Sequence, residues 1–227
     1  MAKFYVVATP IGNLEDITFR AIDVLKKVDL ILCEDTRTTG KLLAKYAINT
    51  KTASYHAHSK TSKKDFIFKL LADGKNLALV SDAGTPCISD PGVLIVSQIR
   101  EHFENGQVEI IPIPGPSALT AALSVSGIPA SEFLFLGFLP HKKGRETMFK
   151  EIANTERAVV FYESPHRIMK TLESLAKADP KREIVIGREL TKVFEQILRG
   201  TPGEITKYFE NNKDKMRGEF VVIVSPK

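Results

Sequence analysis

The chain of 227 residues predicts an α/β fold of two lobes with largely parallel mixed sheets. Three observations predict it. Short apolar runs alternate with segments of helical period along the whole chain. Several of these runs lead through a Gly- and Pro-shaped loop into a helix, the crossover that parallel strands require. Near mid-chain, Pro112-Ile-Pro-Gly-Pro116 resists regular structure and divides the pattern, so the expected lobes are 1–114 and 115–227.

The elements follow in order. A strand is expected over 4–8, where Phe4-Tyr-Val-Val7 is apolar throughout. Ile17, Ala21, Ile22 and Leu25 then recur at helical spacing, so 15–27 is a helix. The run Leu30-Ile-Leu-Cys33 reads as a buried strand within 29–33, followed by a helix over 38–46. Phe66, Ile67, Leu70 and Leu71 mark the apolar stripe of a helix over 63–73. Strand 77–81 leads to a helix over 92–104 carrying Val93, Leu94, Val96 and Ile99. Strand 108–112 leads to the small-residue helix 117–126. The second half repeats the rhythm, with strands at 133–138, 157–162, 184–188 and 219–224 and helices at 145–153, 166–177 and 203–211. No internal repeat, heptad run or low-complexity tail is present.

Composition narrows the class. Apolar residues make up 43% and charged residues 26%, ordinary for a globular protein. The longest apolar stretch, Phe133–Leu139, is too short to span a bilayer. Met1-Ala-Lys-Phe4 leads straight into a strand without the charged and apolar regions of a leader, so a cytoplasmic protein is expected. Cys33 and Cys87 are the only cysteines, better read as reduced thiols than as a disulfide, and neither has metal-ligand spacing. No metal site is expected. The net charge of +5 invites an anionic partner without deciding which.

Chemistry gathers at the strand exits. Ala8–Thr18, Ser81–Gly92 and Pro112–Ala118 are loops of small and turn-forming residues, and parallel strands bring such exits to one edge of a sheet. None is a G-x-G-x-x-G or G-x-x-x-x-G-K-[ST] loop, so a dinucleotide or nucleoside triphosphate is not the first expectation. Two further exits bear possible proton acceptors: Glu34 and Asp35 in one, Glu163 and His166 in the other. Arg37 and Arg167 lie beside them and suit phosphate, although a structural ion pair or a helix cap accounts for each acid equally well. Lys142, Lys143 and Arg145 form a basic cluster, which by itself reads as a solvated face.

Taken together, these runs resemble a known family. Tyr5–Ala21, Cys33-Glu-Asp-Thr-Arg37, Ser81–Gly92, Pro114-Gly-Pro-Ser-Ala118, Phe135–Pro140, Phe161–Arg167 and Gly187-Arg-Glu-Leu-Thr191 are similar to the motifs of the ribosomal RNA small subunit methyltransferase I family, within the tetrapyrrole methylase superfamily. The segment Tyr55–Lys60 departs from that pattern, which has an acidic residue between the histidines His56 and His58 and Asn after the second.

The resemblance implies S-adenosylmethionine bound in an interlobe cleft, with Gly12, Asp82, Gly84, Thr85, Ile88, Ser117 and Ala118 around it. It also implies 2′-O-methylation of a cytidine in the decoding region of small-subunit (16S) ribosomal RNA, free or in the 30S particle, and a homodimer. Arg37, Lys142, Lys143, Arg145 and Arg167 become substrate-binding candidates. The base among Glu34, Asp35, Glu163 and His166 stays open. Two other readings remain: a porphyrin-type C-methyltransferase of the same superfamily, and a non-catalytic ribosome-binding protein that has kept a cofactor pocket.

Overall fold

Five parallel strands form the first sheet of the computed structural model, which describes residues 1–56, 61–104 and 106–227, with Thr61 by its backbone alone. The chain divides into two compact units, Met1–Ser117 and Ala118–Lys227. In the first, strands β1 (Ala2–Val7), β2 (Leu30–Cys33), β3 (Thr52–Ser54), β4 (Leu77–Leu79) and β5 (Val108–Ile113) lie in the order β3-β2-β4-β1-β5. Every ladder is parallel.

Helices cover both faces of this sheet, which is why the central strands β2 and β4 read as unbroken apolar runs. Side chains alternate between the faces. Val7, Ile31, Cys33 and Ala78 pack under α1 (Phe19–Lys27) and α2 (Thr36–Lys45). Phe4, Leu32, Leu77 and Leu79 pack under α3 (Thr61–Ala72) and α4 (Gly92–His102). The neighbours β1 and β4 send their chains in opposite directions, toward β2 and β5 respectively. Such a divergence is the switch point at which open α/β sheets hold ligands, outside the carboxyl ends of the strands.

The second unit runs α5 (Ala118–Ser126), β6 (Phe133–Phe138), α6 (Arg145–Asn154), β7 (Ala158–Glu163), α7 (Ile168–Ala178), β8 (Ile184–Arg188), β9 (Gln196–Gly200), α8 (Pro202–Asn211) and β10 (Phe220–Val224). Its sheet has the order β6-β7-β10-β8-β9. Strands β6 and β7 are parallel, whereas β10 is antiparallel to both its neighbours and β9 is antiparallel to β8. Parallel pairing is therefore concentrated in the first unit. Phe161, Leu172, Ile186, Phe209 and Phe220 fill the second core.

Eight strands lie within a few residues of their expected places. Two others, β3 and β9, carry no clear pattern. The first is three residues of Thr, Ala and Ser at a sheet edge. The second alternates between half-buried and exposed residues at the opposite kind of edge, antiparallel to β8. Among the described residues, no helix is long and apolar enough to cross a membrane. Both cysteines are free thiols.

Candidate functional site

Hydrogen bonds tie four strand exits of the first sheet together. Thr9 and Gly84 form an isolated two-way bridge, Thr9 N–H to Gly84 O at 2.9 Å and Gly84 N–H to Thr9 O at 3.0 Å. The Thr9 hydroxyl donates to Ser81 O at 3.1 Å, which fixes the loop after β1 on the loop after β4. Ala8 N–H reaches Ile113 O at 3.1 Å, and the Thr85 hydroxyl reaches Pro116 O at 3.1 Å, so the loop after β5 joins them. Asp35 N–H donates to Asp82 Oδ1 at 3.0 Å and adds the exit of β2.

This close approach needs glycine. Gly84 has φ +81°, and a Cβ there would press on Ile11 Cγ2 at 3.3 Å. A Cβ on Gly115 would lie 3.0 Å from the Ala8 methyl. Six residues expected around a cofactor therefore sit on this one edge. Gly12, Asp82 and Ile88 are exposed, Thr85 and Ser117 half-buried, and Gly84 buried. Ile88 offers an apolar wall, its side chain 45% exposed despite its size. Ala118 opens α5 and belongs to the second unit.

The two acids after β2 have different surroundings. Asp35 caps α2 by accepting Arg37 N–H at 2.8 Å and a backbone hydrogen bond from Thr38, and it meets the Arg37 guanidinium at 3.1 Å from Nε and 2.7 Å from Nη2. The guanidinium hydrogen bond holds the Asp35 carboxyl down at about 2. Asp35 and Arg37 are thus engaged with each other as cap and ion pair. Glu34 is half-buried, and burial pushes its carboxyl above the usual carboxylate range, with the charges of Asp82 and Asp90 acting in the same direction. It also accepts a hydrogen bond from the Asp82 backbone. Asp90 was not singled out in the sequence, although it sits in the Ser89-Asp-Pro-Gly92 turn, where its Oδ1 accepts Gly92 N–H at 2.7 Å.

In the second unit Glu163 is 1% exposed at the end of β7. Arg167 Nε lies 2.7 Å from Oε1, and Arg145 Nη2 lies 3.6 Å from Oε2. The Thr171 hydroxyl donates to Oε2 at 2.6 Å and Ser164 N–H to Oε1 at 2.8 Å. The two guanidiniums also donate to chain carbonyls, Arg145 to Pro140 O at 3.1 Å and Arg167 to Leu139 O at 2.9 Å. This closed network engages three of the expected site residues with one another. Glu163 has no open face from which to take a substrate proton, and Arg145 and Arg167 point inward to it rather than outward to phosphate. They pin the β6–α6 and β7–α7 connections. His166, Lys142 and Lys143 remain exposed. His56 is exposed just beyond β3, and His58 lies outside the described residues. Among the described residues, no group of three or more His, Cys, Asp or Glu could hold a metal ion.

The architecture and its glycine-bearing exit loops define a class. The family model for Tetrapyrrole (Corrin/Porphyrin) Methylases matches residues 3–206. The fold is also that of uroporphyrin-III C-methyltransferase from Thermus thermophilus complexed with S-adenyl homocysteine, with a TM-score of 0.65 at 17% identity over 98% of this chain and 97% of that one. Within the class, the relative from Vibrio cholerae called ribosomal RNA small subunit methyltransferase I is 48% identical over 97% of this chain and 76% of its own length. The relative of the same name from Thermotoga maritima is 45% identical over the full length of both chains. The chain belongs to the ribosomal RNA small subunit methyltransferase I family of tetrapyrrole methylases.

Proposed function

We propose that this protein transfers a methyl group from S-adenosylmethionine to the 2′-hydroxyl of a cytidine in the decoding region of small-subunit ribosomal RNA. The observation that carries the reading is the 45% identity with the Thermotoga maritima relative from end to end of both chains. The S-adenyl homocysteine in the Thermus thermophilus neighbour supports the choice of donor, since it is what S-adenosylmethionine becomes after giving up its methyl group.

The residues at the edge of the first sheet fit that donor. Gly84 and Gly115 allow backbone to approach closely, Ile88 supplies an apolar surface, and Asp82 and Ser117 offer polar groups for a ribose diol or an amino-acid moiety. When bound, S-adenosylmethionine supplies a methyl group on a sulfonium, a leaving group that needs no acid. The remaining demand is on the hydroxyl nucleophile, whose proton must go to an acceptor.

Of the four candidate acceptors, Asp35 is engaged by Arg37 and Glu163 is sealed in the second core. We assign the role to Glu34, whose carboxylate meets the Asp82 loop and is made more basic by burial and neighbouring charge. His166, exposed on the second unit, is the alternative. Lys142 and Lys143 take the phosphate-binding role, and the working form is a cytoplasmic homodimer.

Transfer of labelled methyl to purified small ribosomal subunits, naked 16S RNA and uroporphyrinogen tests the reading. Incorporation into subunits or RNA supports it. Incorporation into uroporphyrinogen alone overturns it in favour of the porphyrin reading.

A further inference from the structure

One edge of the second sheet carries a cavity that the methyl-transfer reading does not use. Glu163 and Arg188 both stand opposite Phe220, and β6 runs parallel to β7. The segments 139–144, 164–167, 189–195 and 213–219 therefore meet the sheet at the same edge. His141, Lys142, Lys143, His166, Lys213 and Arg217 are exposed along it.

Between the β8–β9 loop and the approach to β10 lies a cavity of about 660 Å³, lined among others by Arg188, Phe194, Gln196, Lys215, Arg217 and Gly218. That volume is within the usual range for small-ligand pockets. Phe194 is 70% exposed at its rim and Val193 beside it 93% exposed. Large apolar side chains left in water next to a concavity mark a contact surface.

The cavity is held open by its own framework. Arg188 is buried and donates from Nη1 to Phe194 O at 3.0 Å and from Nε to Arg217 O at 2.8 Å, so one guanidinium fixes both walls. The Tyr208 hydroxyl accepts from Gln196 Nε2 at 2.5 Å and from Lys215 Nζ at 2.9 Å. Gln196 Oε1 is, among the described residues, the buried side-chain acceptor left without a partner.

Charge selects the occupant. Arg188, Lys215 and Arg217 are matched on the lining by Glu189, Glu195 and Asp214, so the wall has no net charge of its own. Glu189 is further neutralised by Lys192 at 2.9 Å. A neutral wall with an exposed ring suits a nucleobase rather than a phosphate, because the ring offers a face on which a base stacks. The phosphates on either side then face the exposed lysines of the same edge.

We propose that this cavity holds one unpaired nucleobase of the RNA substrate, stacked on Phe194. The proposal rests on the RNA reading above.

The chain contains no tryptophan, so Phe194→Trp introduces a lone tryptophan at the rim, whose emission is separable from that of the tyrosines. Titration of this variant with purified small ribosomal subunits and with a single-stranded oligoribonucleotide should quench its emission while affinity is retained. Phe194→Ala should lose roughly five- to hundred-fold in RNA affinity, the usual effect of deleting one stacking partner, with S-adenosylmethionine affinity and thermal stability unchanged. Equal RNA affinity in Phe194→Ala with no quenching in the tryptophan variant overturns the pocket while native binding upholds the RNA reading. Loss of S-adenosylmethionine binding in Phe194→Ala overturns it by assigning the cavity to the donor. Dissociation of an oligomer in place of any RNA effect overturns it in favour of a second copy of the chain. Absence of RNA binding by the native protein removes the RNA reading itself, and the pocket with it.

Discussion

Glu34 and Glu163 look alike in the sequence, each an acid at a strand exit with an arginine three or four positions on. Their environments separate them. Glu163 is enclosed by two guanidiniums, a hydroxyl and a backbone N–H, and removing it leaves two half-buried cations without a counter-charge. Glu163→Ala should therefore destabilise the protein by about 3–5 kcal/mol, measured by chemical denaturation, with the second unit's core the first to lose order. Glu34 should behave in the opposite way. Its folded carboxyl titrates above the ordinary range because burial disfavours the charge. The native state thus binds that proton more tightly than the unfolded chain, so this contribution to stability is present at low pH and is lost as pH rises through the raised value. Glu34→Gln mimics the protonated form, and its melting temperature near neutral pH should equal or exceed the native one. Turnover should nonetheless fall by about 10²-fold or more, as for loss of a proton acceptor, and the acid limb of the native rate profile should disappear. Retained turnover would move the role to His166. Sequence alone could not separate these two acids, because spacing identifies neighbours in the chain but not the groups that close over a side chain from α6 or the Asp82 loop.

Among the elements, the helices and the central strands were legible because both faces of the first sheet are covered and β2 and β4 are apolar throughout. The edges were not. Three half-buried residues of β3 and the alternating Gln196-Ile-Leu-Arg-Gly200 of β9 gain their ladder from a neighbour and carry little of their own pattern. The antiparallel course of β10 was also hidden, since an apolar run has no direction. Turn chemistry gives two tests. Thr201 and Glu204 form a reciprocal capping box at the start of α8, and Thr201→Ala should cost about 1 kcal/mol by thermal or chemical unfolding. Gly218 precedes β10 at φ +102°, and a Cβ there would run into the Glu189 side chain. Gly218→Ala should therefore cost more than the usual ~1 kcal/mol of a glycine replacement at positive φ. It should also displace Glu189 from Lys192, which a crystal structure of the variant would reveal.

For the whole molecule, the alternation of strands and helices points to α/β architecture, and the strand-exit loops do meet at one edge of the first sheet. What periodicity could not announce is the substrate. A net charge of +5 over 227 residues is too small to specify RNA by a general field, so local clusters must do so. Replacing Lys142 and Lys143 with Ala should reduce the slope of RNA affinity against salt by about two counterions, without altering S-adenosylmethionine affinity in calorimetry. An unchanged slope would take these lysines off the substrate face. The chemical position of the methyl group on the RNA separates ribose from base methylation. Purified small subunits should be incubated with the protein and labelled S-adenosylmethionine, and their RNA digested to nucleosides and resolved by mass spectrometry. Label is expected in 2′-O-methylcytidine from the decoding region, and none when the donor is withheld. Label on a nucleobase, or no label in RNA while a porphyrinogen is methylated, would contradict that expectation.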